Sequence, residues 1–169
     1  SQFMRAVRRV PAITIAPVQG AAIGGGFGLL CACDFAIGTP NTKVGYPPIE
    51  LGLSPALMTP WLVQKIGPSS ARAFMLRGGT TTGTEAARLG LLTDLVAEEE
   101  LSESTDRLAD QLLDADPTAL QTTKRYLNHF EGSDQDVILD RAADVSATLM
   151  SRYDTQRRVF SFRQHSNPR

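Results

Sequence analysis

Cysteine and histidine are scarce in this 169-residue chain, with two of each. That scarcity removes whole classes of chemistry. Cys31 and Cys33 stand one residue apart inside an apolar run, a spacing that disfavours a disulfide between them. Two thiols are too few for a closed metal site, and His129 and His165 are far away in sequence. No metal and no resident cofactor are expected. An excess of either charge is also missing, since 17 basic and 18 acidic residues leave a net charge of -1. This argues against a nucleic-acid protein that relies on bulk attraction to phosphate. No apolar run approaches the roughly 20 residues of a membrane span, and no signal peptide is read. A cytoplasmic setting with neither nucleic acid nor membrane as partner is the expectation.

What is present is ordinary in bulk, with 42% apolar and 21% charged residues, in a length that suits one domain with a real core. Ser1 to Arg9 is basic and helix-like, and Pro11 stops it. Ala12 to Val18 is a short β-branched run that predicts a strand buried on both faces. Gly20 to Gly28 is a glycine cluster, followed by a small-residue helix from Leu29 to Ala36. Phe35–Gly38 and Lys43–Gly45 predict short strands, and prolines 47, 48, 55 and 60 predict irregular backbone after them. The pattern turns helical from Met58, with one helix over Ser69–Leu76 ended by Gly78-Gly79. Thr84 to Leu89 predicts another, with Thr84 as N-cap and Gly90 as stop. Leu92 to Val96 reads as a strand. Glu98 to Asp116 carries eight acidic residues as a solvated surface, with Leu101, Leu108, Leu112 and Leu113 as its apolar face. Asp116-Pro117 is a cap followed by an N1 proline, starting a helix to about Phe130, and a further helix spans Asp136 to about Tyr153. Strands and helices followed by helices alone predict an α/β fold with a helical C-terminal part.

The glycine cluster concentrates the chemistry. A strand ending at Gly20, then Ala-Ala-Ile-Gly-Gly-Gly-Phe-Gly, then a helix, places backbone N–H groups at a helix N-terminus, where dipole and amides favour negative charge. Consecutive glycines let a ligand approach the backbone. The dinucleotide pattern G-x-G-x-x-G fails, because from Gly24 and Gly26 its last position is Leu29. A P-loop fails for want of Lys-Ser/Thr; Gly78 to Gly83 has the glycine spacing but is followed by Thr84-Glu85. No G-x-S-x-G nucleophile elbow occurs. On this cluster alone, glycines serving close helix–strand packing account for the pattern equally well.

The wider context is more specific. Pro11-Ala-Ile-Thr-Ile-Ala-Pro-Val-Gln-Gly-Ala-Ala-Ile-Gly-Gly-Gly-Phe-Gly-Leu-Leu-Cys-Ala-Cys-Asp34 closely resembles the signature of the crotonase (enoyl-CoA hydratase/isomerase) superfamily. So do Lys43-Val-Gly-Tyr-Pro-Pro-Ile-Glu-Leu-Gly-Leu-Ser-Pro55, Ile66-Gly67, Gly78-Gly79, Glu85-Ala86, Gly90-Leu91, Pro117 and Lys124. The resemblance runs from about Val10 to the C-terminus. It implies a crotonase (ClpP-like) spiral-type α/β fold, present in part. Residues 1–97 would form the later portion of the α/β core, and 98–169 a helical region for trimerisation. The implied substrate is a coenzyme A thioester, and the implied assembly a homotrimer or dimer of trimers.

Carried over residue by residue, the resemblance makes Gly25 the oxyanion-hole N–H that binds the thioester oxygen of an enolate-like intermediate. Ile23, Gly24, Pro47, Pro48, Leu51 and Ala56 would line the substrate. Two departures stand out. Hydratases of the family carry one glutamate where this chain has Gly28, and a second where it has Pro48 in a Pro47-Pro48 pair. A carboxylate pair activates water and supplies the α-proton, and glycine and proline can do neither. Isomerases that keep only the second glutamate are excluded on the same ground at Pro48. Pro55-Ala-Leu-Met-Thr-Pro-Trp also replaces a glycine-rich stretch. Glu50 is the nearest surviving carboxylate, with a surface role as its alternative. Tyr46 is a candidate for the acyl pocket, and Ser54 is another conceivable replacement. Cys31, Cys33 and Asp34 read as packing or structural residues. Phe162 aligns with an aromatic that approaches a neighbour's CoA, with Arg163 or His165 as the basic partner.

The family's domain starts upstream of the strand that opens the match here, and that part supplies the second oxyanion amide. A missing N-terminal segment is therefore expected. The leading function is an acyl-CoA enzyme, lyase or isomerase, that stabilises a thioester enolate without the glutamate pair. The alternatives are a non-catalytic acyl-CoA-binding or assembly subunit, or an inactive fragment of a longer enzyme.

Overall fold

A computed structural model describes residues 1–46 and 51–166, with side chains through residue 162. Pro47, Pro48 and Glu50 lie outside the described residues. In chain order the elements are α1 (Gln2–Arg9), β1 (Ile15–Val18), β2 (Ala21–Ile23), α2 (Gly25–Ala32), β3 (Phe35–Gly38) and β4 (Lys43–Tyr46). A 3-10 turn at Pro55–Met58 leads into α3 (Thr59–Arg77), β5 (Gly79–Thr82), α4 (Gly83–Leu89) and β6 (Asp94–Leu95). The remainder is α5 (Leu101–Leu113), α6 (Pro117–Phe130), α7 (Asp136–Met150) and α8 (Tyr153–Ser166).

Two three-stranded sheets result, in the orders β1-β3-β6 and β2-β4-β5. Every pairing is parallel except β4 with β5. Parallel neighbours need a crossover, and α2 provides it for both β1→β3 and β2→β4. This makes α2 central, and its composition fits: Phe27, Leu30, Cys31 and Ala32 are all buried. They join Trp61 and Leu62 of α3, Ala36 of β3 and Val44 of β4 in one core. The Phe27 ring stacks on Phe74 with centroids 5.5 Å apart, inside the range for favourable aromatic pairs.

Several elements differ from the sequence expectation for identifiable reasons. β1 is shorter than Ala12–Val18 and is not buried on both faces: Pro17 is exposed and only Val18 is buried. It is the outer strand of its sheet among the described residues, a position that tolerates a residue without an N–H. The α2 helix starts at Gly25, not Leu29, so the glycines belong to it. The Ser69–Leu76 helix is the second limb of α3. Gly67, at φ 76°, breaks that helix between two limbs, and Pro68 opens the second. Gly79 does not only stop a helix; it begins β5, which pairs antiparallel with β4. The cap of α4 is Thr82 instead of Thr84, its Oγ1 accepting the Glu85 N–H at 3.3 Å. Leu113 is 80% exposed and is not part of the buried face of α5. The Asp136 helix ends at Met150, and α8 follows it.

The C-terminal helices pack back on the sheets: α5 on β1 and β3, α6 on α1, and α7 on α3 and the Pro55–Met58 turn. One buried ion pair fastens α6. Lys124 Nζ, on a residue only 5% exposed, donates to Asp34 Oδ2 at 2.7 Å and to the Ala12 carbonyl at 2.8 Å. The same Oδ2 accepts from the Thr14 amide and hydroxyl, both at 2.8 Å. Asp34 therefore ties β3, the approach to β1 and α6 together, which makes it a structural residue. Removing one partner of such a pair leaves the other buried and uncompensated, at about 3–5 kcal/mol. Asp34→Ala is expected to lower unfolding stability by about 3 kcal/mol, read from the urea midpoint. A loss below about 1 kcal/mol, the value typical of exposed pairs, would contradict the burial argument.

Candidate functional site

The site is built where β2 hands over to α2. Gly24, between them, has φ 61° and ψ -118°, the mirror image of extended backbone and open to glycine without steric cost. Its amide donates to the Gly45 carbonyl at 3.0 Å, and its carbonyl accepts the Gly28 N–H at 3.1 Å. Gly28 is thus the first residue whose amide bonds back into the helix. The amides of Gly25, Gly26 and Phe27 precede it and face the positive end of the helix dipole. A Cβ on Gly25 or Gly26 would meet nothing within 4 Å. Among the described residues, donors without a backbone partner and open space coincide there.

The strand register gathers the neighbouring candidates. Ile23 is opposite Gly45, so Tyr46 lies beside Gly24 at the end of β4, and Ile23 is 42% exposed. The Tyr46 hydroxyl donates to the Ser54 carbonyl at 3.4 Å, and the ring packs on the core. Ser146 Oγ reaches the same carbonyl at 3.3 Å and accepts the Leu57 amide at 2.9 Å. Ser54 Oγ caps the 3-10 turn by accepting the Ala56 amide at 3.2 Å. Leu51 and Ala56 are half-buried. Ile23, Gly24, Gly25 and Tyr46 are therefore brought together by β2 and β4. Phe162 stands apart on α8 and is 48% exposed; the proposed partners Arg163 and His165 lie beyond the described side chains.

Gly28 is the opposite of Gly25. It is buried, and a Cβ there would overlap the terminal methyl of Met4 and stand 3.2 Å from both Met4 Sδ and Met58 Cγ. Met4 on α1 and Met58 in the 3-10 turn were not legible as site residues from their positions. Cys31 is equally unsuited to nucleophilic chemistry, since burial pushes its thiol to about 12 and keeps it protonated. Burial likewise raises the Cys33 thiol. Clefts of about 640 Å³ and 410 Å³ flank α6, with walls such as Tyr126 and Leu127, and neither includes Gly25.

Parallel strands that cross over around one central helix, with a glycine turn at the start of that helix, define the α/β scaffold. Comparison with known proteins names the class. The enoyl-CoA hydratase/isomerase family model matches residues 1–168, and the chain belongs to that family. The match includes α1 and so begins ahead of Val10. A crotonyl-CoA hydratase of Syntrophomonas wolfei is 33% identical over 147 residues, covering 86% of this chain and 55% of that protein. A 2,3-dehydroadipyl-CoA hydratase of Escherichia coli is 29% identical over 155 residues, 91% of this chain and 61% of that protein. The chain thus spans little more than half the length of these relatives. The crystal structure of an enoyl-CoA hydratase from Mycobacterium avium subsp. paratuberculosis superposes with a TM-score of 0.88 at 25% identity. It covers 96% of this chain and 68% of its own. The crotonase α/β fold is shown by these likenesses. Among the described residues no helix is long and apolar enough to cross a membrane.

Tyr46 provides a direct check on how closed this corner is. Burial raises its phenol above the usual 10.0, because the anion is the form that loses solvation. The neutral phenol is favoured in the folded state, so this contribution to stability is intact below pH 10.0 and lost as pH rises through the raised value. The phenolate absorbance difference between parent and Tyr46→Phe is expected to titrate above pH 10.0. A midpoint at or below that value would mean a solvated ring.

Proposed function

We propose that the chain binds an acyl-CoA thioester with its carbonyl oxygen on the Gly25 amide and stabilises the enolate that forms when charge moves onto that oxygen. Membership of the enoyl-CoA hydratase/isomerase family supports the substrate class. The observation that carries the site is a Gly25 amide with no backbone partner among the described residues, on a glycine whose missing side chain leaves open space. A donor aimed in advance at developing charge is worth about 3–4 kcal/mol in comparable sites. Ile23, Gly24, Leu51 and Ala56 line the substrate in this reading, with Tyr46 closing the pocket; the roles the resemblance implies for Pro47 and Pro48 fall outside the described residues. Coenzyme A enters as part of the substrate, and no resident cofactor is invoked.

The reaction is one that needs the enolate and not the two-glutamate addition of water: decarboxylation, an atypical isomerisation or C–C cleavage. Gly28 is a hydrogen atom where water activation needs a carboxylate, and the space it leaves holds thioethers. Residues 98–169 are proposed to assemble a homotrimer or dimer of trimers, with Phe162 reaching a neighbour's CoA. A second reading, a non-catalytic acyl-CoA binder, draws on the same Gly28 and on Pro48, since a binding module needs no acid or base.

Gly25 permits an unusually clean test. It is the first residue of α2, where proline is tolerated because the N–H it removes has no helical partner. Gly24, in mirrored extended backbone, is outside the α region that a following proline disfavours and has no Cβ to meet the ring. Gly25→Pro in the full-length protein is expected to keep its thermal midpoint. Turnover of a panel of enoyl- and malonyl-CoA esters should fall by about 10²–10³-fold. Undiminished turnover would sink the oxyanion assignment, and an inactive parent with intact calorimetric binding would favour the binder.

A further inference from the structure

Only one residue of α1 is buried, and it is Met4. The rest of that helix is held down by charge. Arg5 donates to Asp136 at 3.1 Å and to Asp140 at 2.5 Å, both on α7. Arg8 pairs with Glu131, and Arg9 reaches the Ser133 carbonyl at 2.9 Å and Asp136 at 2.8 Å. These contacts hold α1 against α7 and the residues that join α6 to α7, and the Met4 side chain reaches Gly28 of α2. Met58 closes the same space from the 3-10 turn.

Gly28 follows Gly25 by three residues, so it lies on nearly the same face of α2, about 4.5 Å further along the axis. One turn of this helix is open and offers amides; the next is covered by two thioethers. We propose that Met4 is a specificity-determining residue of the thioester site, its side chain forming with Met58 an apolar end wall one turn behind the Gly25 amide. The wall limits the acyl group that fits beside the amide and presents it with no hydrogen-bonding side chain. Methionine suits this role, because an unbranched, polarisable chain fills an irregular gap that a branched one cannot reach. The inference rests on the thioester reading of Gly25 and adds to it a residue from α1.

The test titrates the full-length protein with acetyl-, butyryl-, hexanoyl- and octanoyl-CoA by calorimetry. Met4→Ala deletes the wall, and Met4→Leu retains apolar bulk while withdrawing the chain end from Gly28, which guards against a loss of folding in the alanine variant. Each methylene newly accommodated is worth about four-fold in affinity. Both variants are therefore expected to raise the octanoyl-to-acetyl affinity ratio by about ten-fold or more over the parent. Gly28→Ala, which drives the Met4 methyl forward, should lower that ratio, and Met4→Ala/Gly28→Ala should restore it. A parent that binds the esters, with folded Met4 variants that keep its ratio, overturns the wall and leaves the thioester site standing. A parent that binds none of the esters overturns both.

Discussion

The hydrogen bond from the Gly24 amide to the Gly45 carbonyl is the constraint on which the site's geometry depends. It holds the last residue before α2 against the end of β4, and so sets the direction in which the helix leaves the sheet. With Gly24 at φ 61°, the chain turns from strand to helix in a single residue. The helix start then coincides with the sheet's edge, and its first amides are left facing outward. A residue with a Cβ at Gly24 would be strained by this backbone, and relaxing the turn would swing the amides away. The buried Asp34–Lys124 pair works at the other end of α2, fixing where the helix hands back to β3.

Along α2 the same glycine-rich sequence does two different things. At Gly25 the missing side chain leaves open space, and at Gly28 it leaves space that the protein itself fills. The distinction controls chemistry. An amide donor can stabilise charge without ever exchanging a proton, whereas water addition needs a group that changes protonation state during the reaction. The methionine side chains that fill the space at Gly28 carry no group that changes protonation state. Family membership and hydratase chemistry are therefore separate statements for this chain.

Local chemistry was readable wherever a signal acts within a few residues. β3 falls at Phe35–Gly38 as its apolar pattern predicts, and α6 starts with Asp116 capping and Pro117 in the first turn. The strand-glycine-helix unit around Gly25 was readable because motif spacing within one continuous stretch is itself local. β2 and β5 were not, since three residues inside a glycine cluster and a Gly-Thr-Thr-Thr segment become strands only through pairing with β4. Thr82 caps α4 in place of Thr84 because β5 ends there and delivers Thr82 in extended backbone. The α8 helix has a polar, mixed sequence whose pattern gave no clear period.

The amino-acid sequence by itself determined the family, the glycine cluster that contains Gly25, and the absence of carboxylates at Gly28 and Pro48. These are properties of residue identity and spacing within a continuous stretch. Only the tertiary structure decided what occupies the space beside Gly28. Met4 lies 24 positions earlier and Met58 30 positions later, and no local pattern couples them to α2. Two elements folding against one helix bring both methionine side chains to the same glycine, because a buried space that no side chain of α2 fills must be filled by its neighbours.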